Sequence, residues 1–501
     1  MALPPLASPL PPAQRAAIID LGSNSVRMVV FEGVARNPVP IFNEKATLQL
    51  GKGLEKTGCL SEPGMHKAME VLGRFGRIAT AMGADPFVVV ATAAVRDARN
   101  GPQFIEAASR HLPQASFRIL RGEEEADYAA AGVLCALPEA DGLAADIGGG
   151  SMELIRISGG TYTNAVTTPL GVIRLAERAD DNVLRARDLA EKVLADISWL
   201  PSARGRPLYL VGGGFRALAR AEISRLRYPL NMVHLFRLTR AQAWEMARWC
   251  LDADAKTLEK LGNVPRKRVE QVPYAAAVLE ALLMLQEPDE VVFSAEGLRE
   301  GWYMRHVAAE VQHLDPMQAL AREMAARLGR NTNLPAELVA WTAPLFAAHE
   351  SPEQSELRGL ACLVSDIGSY DHPQYRAEQT YRRLLYCHGV GFEHRARAFL
   401  ALVLAVRYEM GLNDPVLKPS RKLLSPEMFE RAVQLGLALR LAYTLCGGNE
   451  ALLRDSHLAI EDGTLVLKIR ANGLRMAGSA LRRRFEKLAE ALHMPGRICE
   501  D

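Results

Sequence analysis

Two short stretches of the chain carry one constellation of residues that can hold a phosphate. Asp20-Leu-Gly-Ser-Asn-Ser25 and Asp146-Ile-Gly-Gly-Gly-Ser151 each place an aspartate, a glycine two residues on and a serine five residues on, and they stand 146 − 20 = 126 residues apart. Glycine lets the backbone approach an anion closely, and the N–H groups and hydroxyls of Ser23, Asn24, Ser25, Gly148, Gly149, Gly150 and Ser151 are donors for phosphate oxygens. A carboxylate beside such a nest repels its ligand unless a cation lies between, and magnesium is the natural bridge. Asp20 and Asp146 are therefore candidate metal residues, joined by Glu153, which shares the face of Ser151 on an extended strand. Either loop alone is equally well a tight turn whose aspartate caps it. Two with matched positions are harder to dismiss.

Other candidates sit beside these loops. Thr92 and Arg96 follow the apolar run Phe87–Ala91, where α/β proteins bind ligands, and Arg96 can clamp a phosphate oxygen in two-pronged fashion. Gly122-Glu123-Glu124-Glu125-Ala126 packs three acids into a helix start. Capping and the helix dipole account for one or two of them, and a third can take a proton from an attacking water. Which glutamate does so stays open on spacing alone. The turns Gly212-Gly213-Gly214 and Ser294–Gly301 shape the same cleft or merely connect elements. In the C-terminal half, His349, Asp366, His372, His388 and His394 are irregularly spaced, which speaks for ordinary histidines over a metal site. Arg382-Arg383, Arg421-Lys422 and Arg482-Arg483-Arg484 are solvated faces or, together, a track for a long polyanion.

The elements that must position these residues read as follows. Ala16–Phe31 and Leu143–Ile157 are strand, polar turn and strand, one repeat of domain size. Phe87–Ala91, Phe117–Leu120, Leu208–Val211 and Glu290–Phe293 read as short buried strands separated by helices, so the first ~300 residues are α/β. From Pro316 onward apolar residues recur at helical spacing. His457–Ile460, a turn and Thr464–Ile469 make a hairpin, followed by a basic helix. A chain of 501 residues exceeds a single core. We place a disordered tail at 1–14, domains at 15–130, 131–308 and 309–448, and a small α/β module at 449–501. With 60 Lys plus Arg against 58 Asp plus Glu, no global field announces a polyanion, so a polyanion site has to be local. Seven scattered cysteines read as reduced thiols, and the Pro/Ala-rich start is neither secretory signal nor membrane anchor. A cytoplasmic protein without DNA or membrane partners is expected.

Asp20-Leu-Gly-Ser-Asn-Ser25, Ala91-Thr-Ala-Ala-Val-Arg96, Gly122–Ala126, Asp146–Ser151 with Glu153, Leu170-Gly-Val-Ile-Arg174 and Gly297-Leu-Arg-Glu-Gly301 together resemble the exopolyphosphatase and guanosine-pentaphosphate phosphohydrolase (Ppx/GppA) family. The resemblance is strong over residues 16–305, and the remainder is similar to the long bacterial exopolyphosphatases. It implies two actin-like, ribonuclease-H-like domains, an all-α HD-like domain and a small terminal module, assembled as a homodimer. It implies Glu125 as the catalytic base, Asp146 and Glu153 at magnesium-associated positions, and Ser23, Asn24, Arg96, Gly148, Gly149 and Ser151 as phosphate-binding. Ser365-Asp366 stands where HD enzymes have His-Asp, so the helical domain is expected to keep the fold without its metal chemistry. The activity implied is release of orthophosphate from the end of inorganic polyphosphate. The rivals are hydrolysis of guanosine pentaphosphate, a silent sensor of guanosine tetraphosphate, and an actin-like or sugar-kinase-like ATP-binding protein.

Overall fold

The computed structural model describes residues 14–33, 35–470 and 478–500; the tail expected over Met1–Gln14 lies, but for Gln14, outside them. The chain forms two compact units that divide between Leu314 and Asp315. In the first, β1 (Arg15–Leu21) and β2 (Ser25–Glu32) are apolar runs with Ala16–Ile19 and Met28–Phe31 almost wholly buried. Covered on both faces, they read as continuous rather than alternating hydrophobic strands. They pair antiparallel around the Gly22–Ser25 turn. With β3 (Val39–Thr47), β4 (Ala84–Ala91) and β5 (Ser116–Ile119) they build a sheet ordered β3-β2-β1-β4-β5.

The second lobe of this unit repeats the plan. It contains β6 (Gly142–Ile147), β7 (Met152–Ser158), β8 (Thr161–Thr168), β9 (Leu208–Gly212), β10 (Phe236–Thr239) and β11 (Glu290–Phe293), ordered β10-β11-β9-β6-β7-β8. Read from the hairpin outward, β8-β7-β6-β9-β11 matches β3-β2-β1-β4-β5 in both order and direction, with β10 added antiparallel at the edge. The expected repeat is thus topological. Each sheet packs helices over its own core: Glu62–Ala81 on the first, Val272–Gln286 on the second. Two readings change. The strand expected as buried at Phe117–Leu120 is β5, an edge strand whose residues are exposed or half-exposed. β3 and β8, not anticipated, are polar edge strands, where a solvated face replaces the apolar signal.

The second unit is helical from Pro316 to Cys446, with Asp315, Ser351 and Ser425 side chains accepting from the first-turn amides of their helices. It ends in a three-stranded sheet, β12 (Ser456–Glu461), β13 (Thr464–Ile469) and β14 (Gly496–Glu500), with the helix Ser479–Ala491 between the last two. Asp366 is buried and saturated: it accepts from the Arg330 backbone at 3.1 Å and guanidinium at 2.8 and 2.9 Å, from Ser369, and from Arg407 at 3.4 Å. The Arg407 guanidinium lies 3.9 and 3.8 Å from the Tyr408 and Tyr443 ring centroids. His394 is buried and His349, His372 and His388 are exposed. Of the basic groups, Arg382 pairs with Glu378, Arg383 with Asp371 and Arg484 with Glu409. Arg421, Lys422, Arg482 and Arg483 face solvent. No helix among the described residues is long and apolar enough to cross a membrane.

Candidate active site

The two hairpin turns close alike: Gly22 N–H donates to the Ser25 carbonyl at 3.1 Å, and Gly148 N–H to the Ser151 carbonyl at 2.9 Å. Neighbouring chain then ties down their carbonyls. Leu48 and Gln49 donate to Asn24 and Gly51 to Ser23; Val172 donates to Gly148, and Ile173 and Arg174 to Gly149. Among the described residues the amides of Ser23, Asn24, Gly149 and Gly150 donate to no backbone carbonyl, which leaves N–H groups as the polar edge of each loop. The loops come close: a Cβ on Gly150 would stand 2.8 Å from Ser23 Oγ. A side chain there would have to displace the Ser23 hydroxyl, which glycine leaves in place.

Both loops line one cleft of about 580 Å³, together with Asp20, Thr92, Glu125, Asp146 and Glu153. Strand register puts Asp146 opposite Glu153. Ser151 and Glu153 are both buried, and Glu153 Oε1 has no hydrogen-bond partner among the described residues. Burial pushes Asp146 up to about 6, with Arg216 opposing and Asp20 adding to the rise. Burial, then Glu125 and Asp146, hold Glu153 well above the carboxylate range. Burial likewise raises Asp20, against the pull of Arg299, Arg27 and Lys45. Buried carboxylates short of partners fit a cation, and Asp146 with Glu153 would hold it. Among the described residues no three His, Cys, Asp or Glu side chains cluster as a complete metal site.

The three glutamates of the Gly122–Ala136 helix are not alike. Glu123 is exposed, and Glu124 returns to the Arg121 amide at 3.0 Å and pairs with Arg118 at 2.7 Å, which is capping. Glu125 is buried and turned into the cleft. Arg96 Nη1 holds its Oε2 at 3.0 Å and donates to the Leu120 carbonyl at 3.1 Å. Burial pushes Glu125 up to about 7, the Arg96 cation opposing. Arg96 thus has Nη1 and Nε engaged with protein, Nε lying 3.4 Å from Asp97.

A cationic wall faces these groups: Arg27, Lys45, Arg216, Arg220, Lys267, Arg268 and Arg299. Burial pushes Arg27 and Arg216 down to about 10; burial and the neighbouring Arg268, Arg216, Arg27 and Lys267 push Lys45 down to about 7. This wall was not anticipated from the sequence, because β2, β3 and three separate helices supply one or two residues each. Two signals were present, one of them the basic run Arg266-Lys267-Arg268, which supplies two of the seven. Arg27 interrupts an apolar strand seven residues after Asp20, where the second hairpin has Glu153 seven residues after Asp146.

The profile of the Ppx/GppA phosphatase family matches residues 29–310, and that of the exopolyphosphatase C-terminal region matches 317–496. Exopolyphosphatase 1 of Mycobacterium leprae (strain TN) is 26% identical over 328 residues, 62% of this chain and 94% of its own. Exopolyphosphatase 1 of Mycobacterium bovis is 28% identical over 311 residues, 59% and 89%. Among solved structures, the Aquifex aeolicus member of the Ppx/GppA family is 25% identical with a TM-score of 0.50, covering 58% of this chain and 96% of its own. An exopolyphosphatase from Cytophaga hutchinsonii shares the fold at 24% identity and a TM-score of 0.53, covering 57% and 96%.

Proposed function

On the premise that the chain belongs to the Ppx/GppA phosphatase family, we propose that it is an exopolyphosphatase, releasing orthophosphate from the end of inorganic polyphosphate. The observation that carries this reading is Glu125, a buried carboxylate held by Arg96 in a cleft that also presents two amide-edged loops and a wall of seven cationic residues. The loops would seat the terminal phosphoryl group. The wall would neutralise the phosphates behind it. Glu125 would orient a water and take its proton as the water oxygen bonds to phosphorus and the bridging P–O bond breaks. Magnesium, held by Asp146 and Glu153, would supply further neutralisation of the phosphoryl oxygens.

The sister activity on guanosine pentaphosphate is favoured by one observation: the cationic wall lies within the same cleft, so a short, highly charged ligand meets it whole. The helical unit fits an HD-like scaffold without metal chemistry, because Arg330 and Arg407 already occupy Asp366. Homodimeric assembly and a cytoplasmic setting belong to the same reading.

Phosphate release from long polyphosphate, guanosine pentaphosphate and ATP, compared at equal enzyme, tests these alternatives. Polyphosphate should be turned over fastest, and Glu125→Gln should lower kcat by about 10²- to 10⁴-fold with polyphosphate still bound. Undiminished turnover in Glu125→Gln would refute the assigned base, and ATP as sole substrate would refute the activity.

A further inference from the structure

We propose that Arg174 is a positioning residue that ties the second phosphate loop to Glu125 across the cleft; the proposal rests on the phosphohydrolase reading above. The helix Val172–Arg178 belongs to the second lobe, and its first amides are bonded to the loop: Ile173 and Arg174 N–H donate to the Gly149 carbonyl at 2.9 and 3.1 Å. The side chain leaves that lobe. Arg174 Nη2 lies 3.1 Å from Asp97 Oδ2, and Nε pairs with Glu55, both on the first lobe.

Asp97 is shared. Its Oδ1 lies 3.4 Å from Arg96 Nε, and Arg96 Nη1 lies 3.0 Å from Glu125 Oε2. A continuous path of charge-assisted contacts therefore runs from the Gly149 backbone through Arg174, Asp97 and Arg96 to the catalytic carboxylate. Along this path the Arg174 side chain is 18% exposed and that of Asp97 33%, and beside them Ile173, Leu54 and Ala94 line one small space of about 20 Å³. Asp97 divides its charge between two guanidinium groups. Without Arg174 it has only Arg96, and the pull shifts Arg96 away from Glu125. Glu125 is then misplaced relative to a phosphoryl group that is still bound by the loops, so turnover suffers and binding does not.

The experiment is steady-state phosphate release by Arg174→Gln, Arg174→Lys, Asp97→Asn and the double variant, with Arg185→Gln, on an exposed pair remote from the cleft, as control. Hydrogen–deuterium exchange of the ligand-free proteins runs alongside. Arg174→Gln should lose about tenfold or more in kcat with KM nearly unchanged. Lysine should restore part of it, and Arg174→Gln should cost much less in an Asp97→Asn background than alone. Exchange should rise locally at 93–98 on the opposite lobe. Unchanged kcat and unchanged exchange at 93–98 would overturn the proposal, as would a uniform rise in exchange, which marks simple destabilisation. If the wild type releases no phosphate from any of these compounds, the activity reading fails by itself, and exchange at 93–98 alone decides whether the tie exists.

Discussion

The two hairpins of the first unit share a turn bond, a strand register and an aspartate, and differ in the residue opposite that aspartate. Asp20 faces Arg27; Asp146 faces Glu153. In the first lobe the cross-strand pair joins opposite charges, and Arg299 adds a second cation 4.0 Å from Asp20. In the second lobe it joins like charges in a buried place, which is unfavourable unless a cation or a proton intervenes. The duplicated hairpins thus differ in charge at one matched position: the first sets a cation against its aspartate, the second a carboxylate. Sequence symmetry between repeats says where a site lies. The broken positions say what each half does.

That contrast can be attacked directly. The largest effect is expected from comparing Asp146→Asn with Asp20→Asn: the first should lose about 10²- to 10³-fold in kcat and the second about tenfold at most, measured as phosphate release under saturating magnesium. Equal losses would mean that the two aspartates work as a pair. Arg27→Gln is expected to act on binding, raising KM for polyphosphate about tenfold with kcat retained, and a fall in kcat at constant KM would move Arg27 from the wall to the chemistry. The smallest effect is on stability. Burial and its acidic neighbours raise Glu153, so the stability this group contributes is full below its ordinary range and lost as pH rises through its folded value. Glu153→Gln should therefore raise the melting temperature of the metal-free protein by a few degrees at about pH 8 and by less at about pH 5. An unchanged or lowered value at the higher pH would show that the carboxylate already has a partner.

What was legible in the sequence follows the range of the interactions. The phosphate loops are local, six residues each, and their repeat marked the cleft before any geometry. From spacing alone Glu125 was legible only as one of three acids, and the family resemblance singled it out; the physical choice depends on Arg96, 29 residues earlier, and on the capping that occupies Glu124. The cationic wall left one short local run, Arg266-Lys267-Arg268, and is otherwise assembled by the fold: Arg27 and Lys45 are paired by β2–β3 register, while Arg216, Arg220 and Arg299 arrive from helices far along the chain. Asp366 shows the reverse case: it was set aside as a ligand on spacing and on the serine before it, while the partners that occupy it lie out of reach of local sequence, Arg330 and Ser369 holding it below the usual carboxylate range despite its burial.

Lys45 gives the cleft a further property. Burial, and then the nearby Arg268, Arg216, Arg27 and Lys267, push it down to about 7, so of the wall's cations it gives up its charge most readily near neutral pH. A polyanion entering the cleft would restore the favourable surroundings of an ammonium group, so binding near neutral pH would draw a proton from solvent, and the proposed ligand would itself complete the charge of the wall.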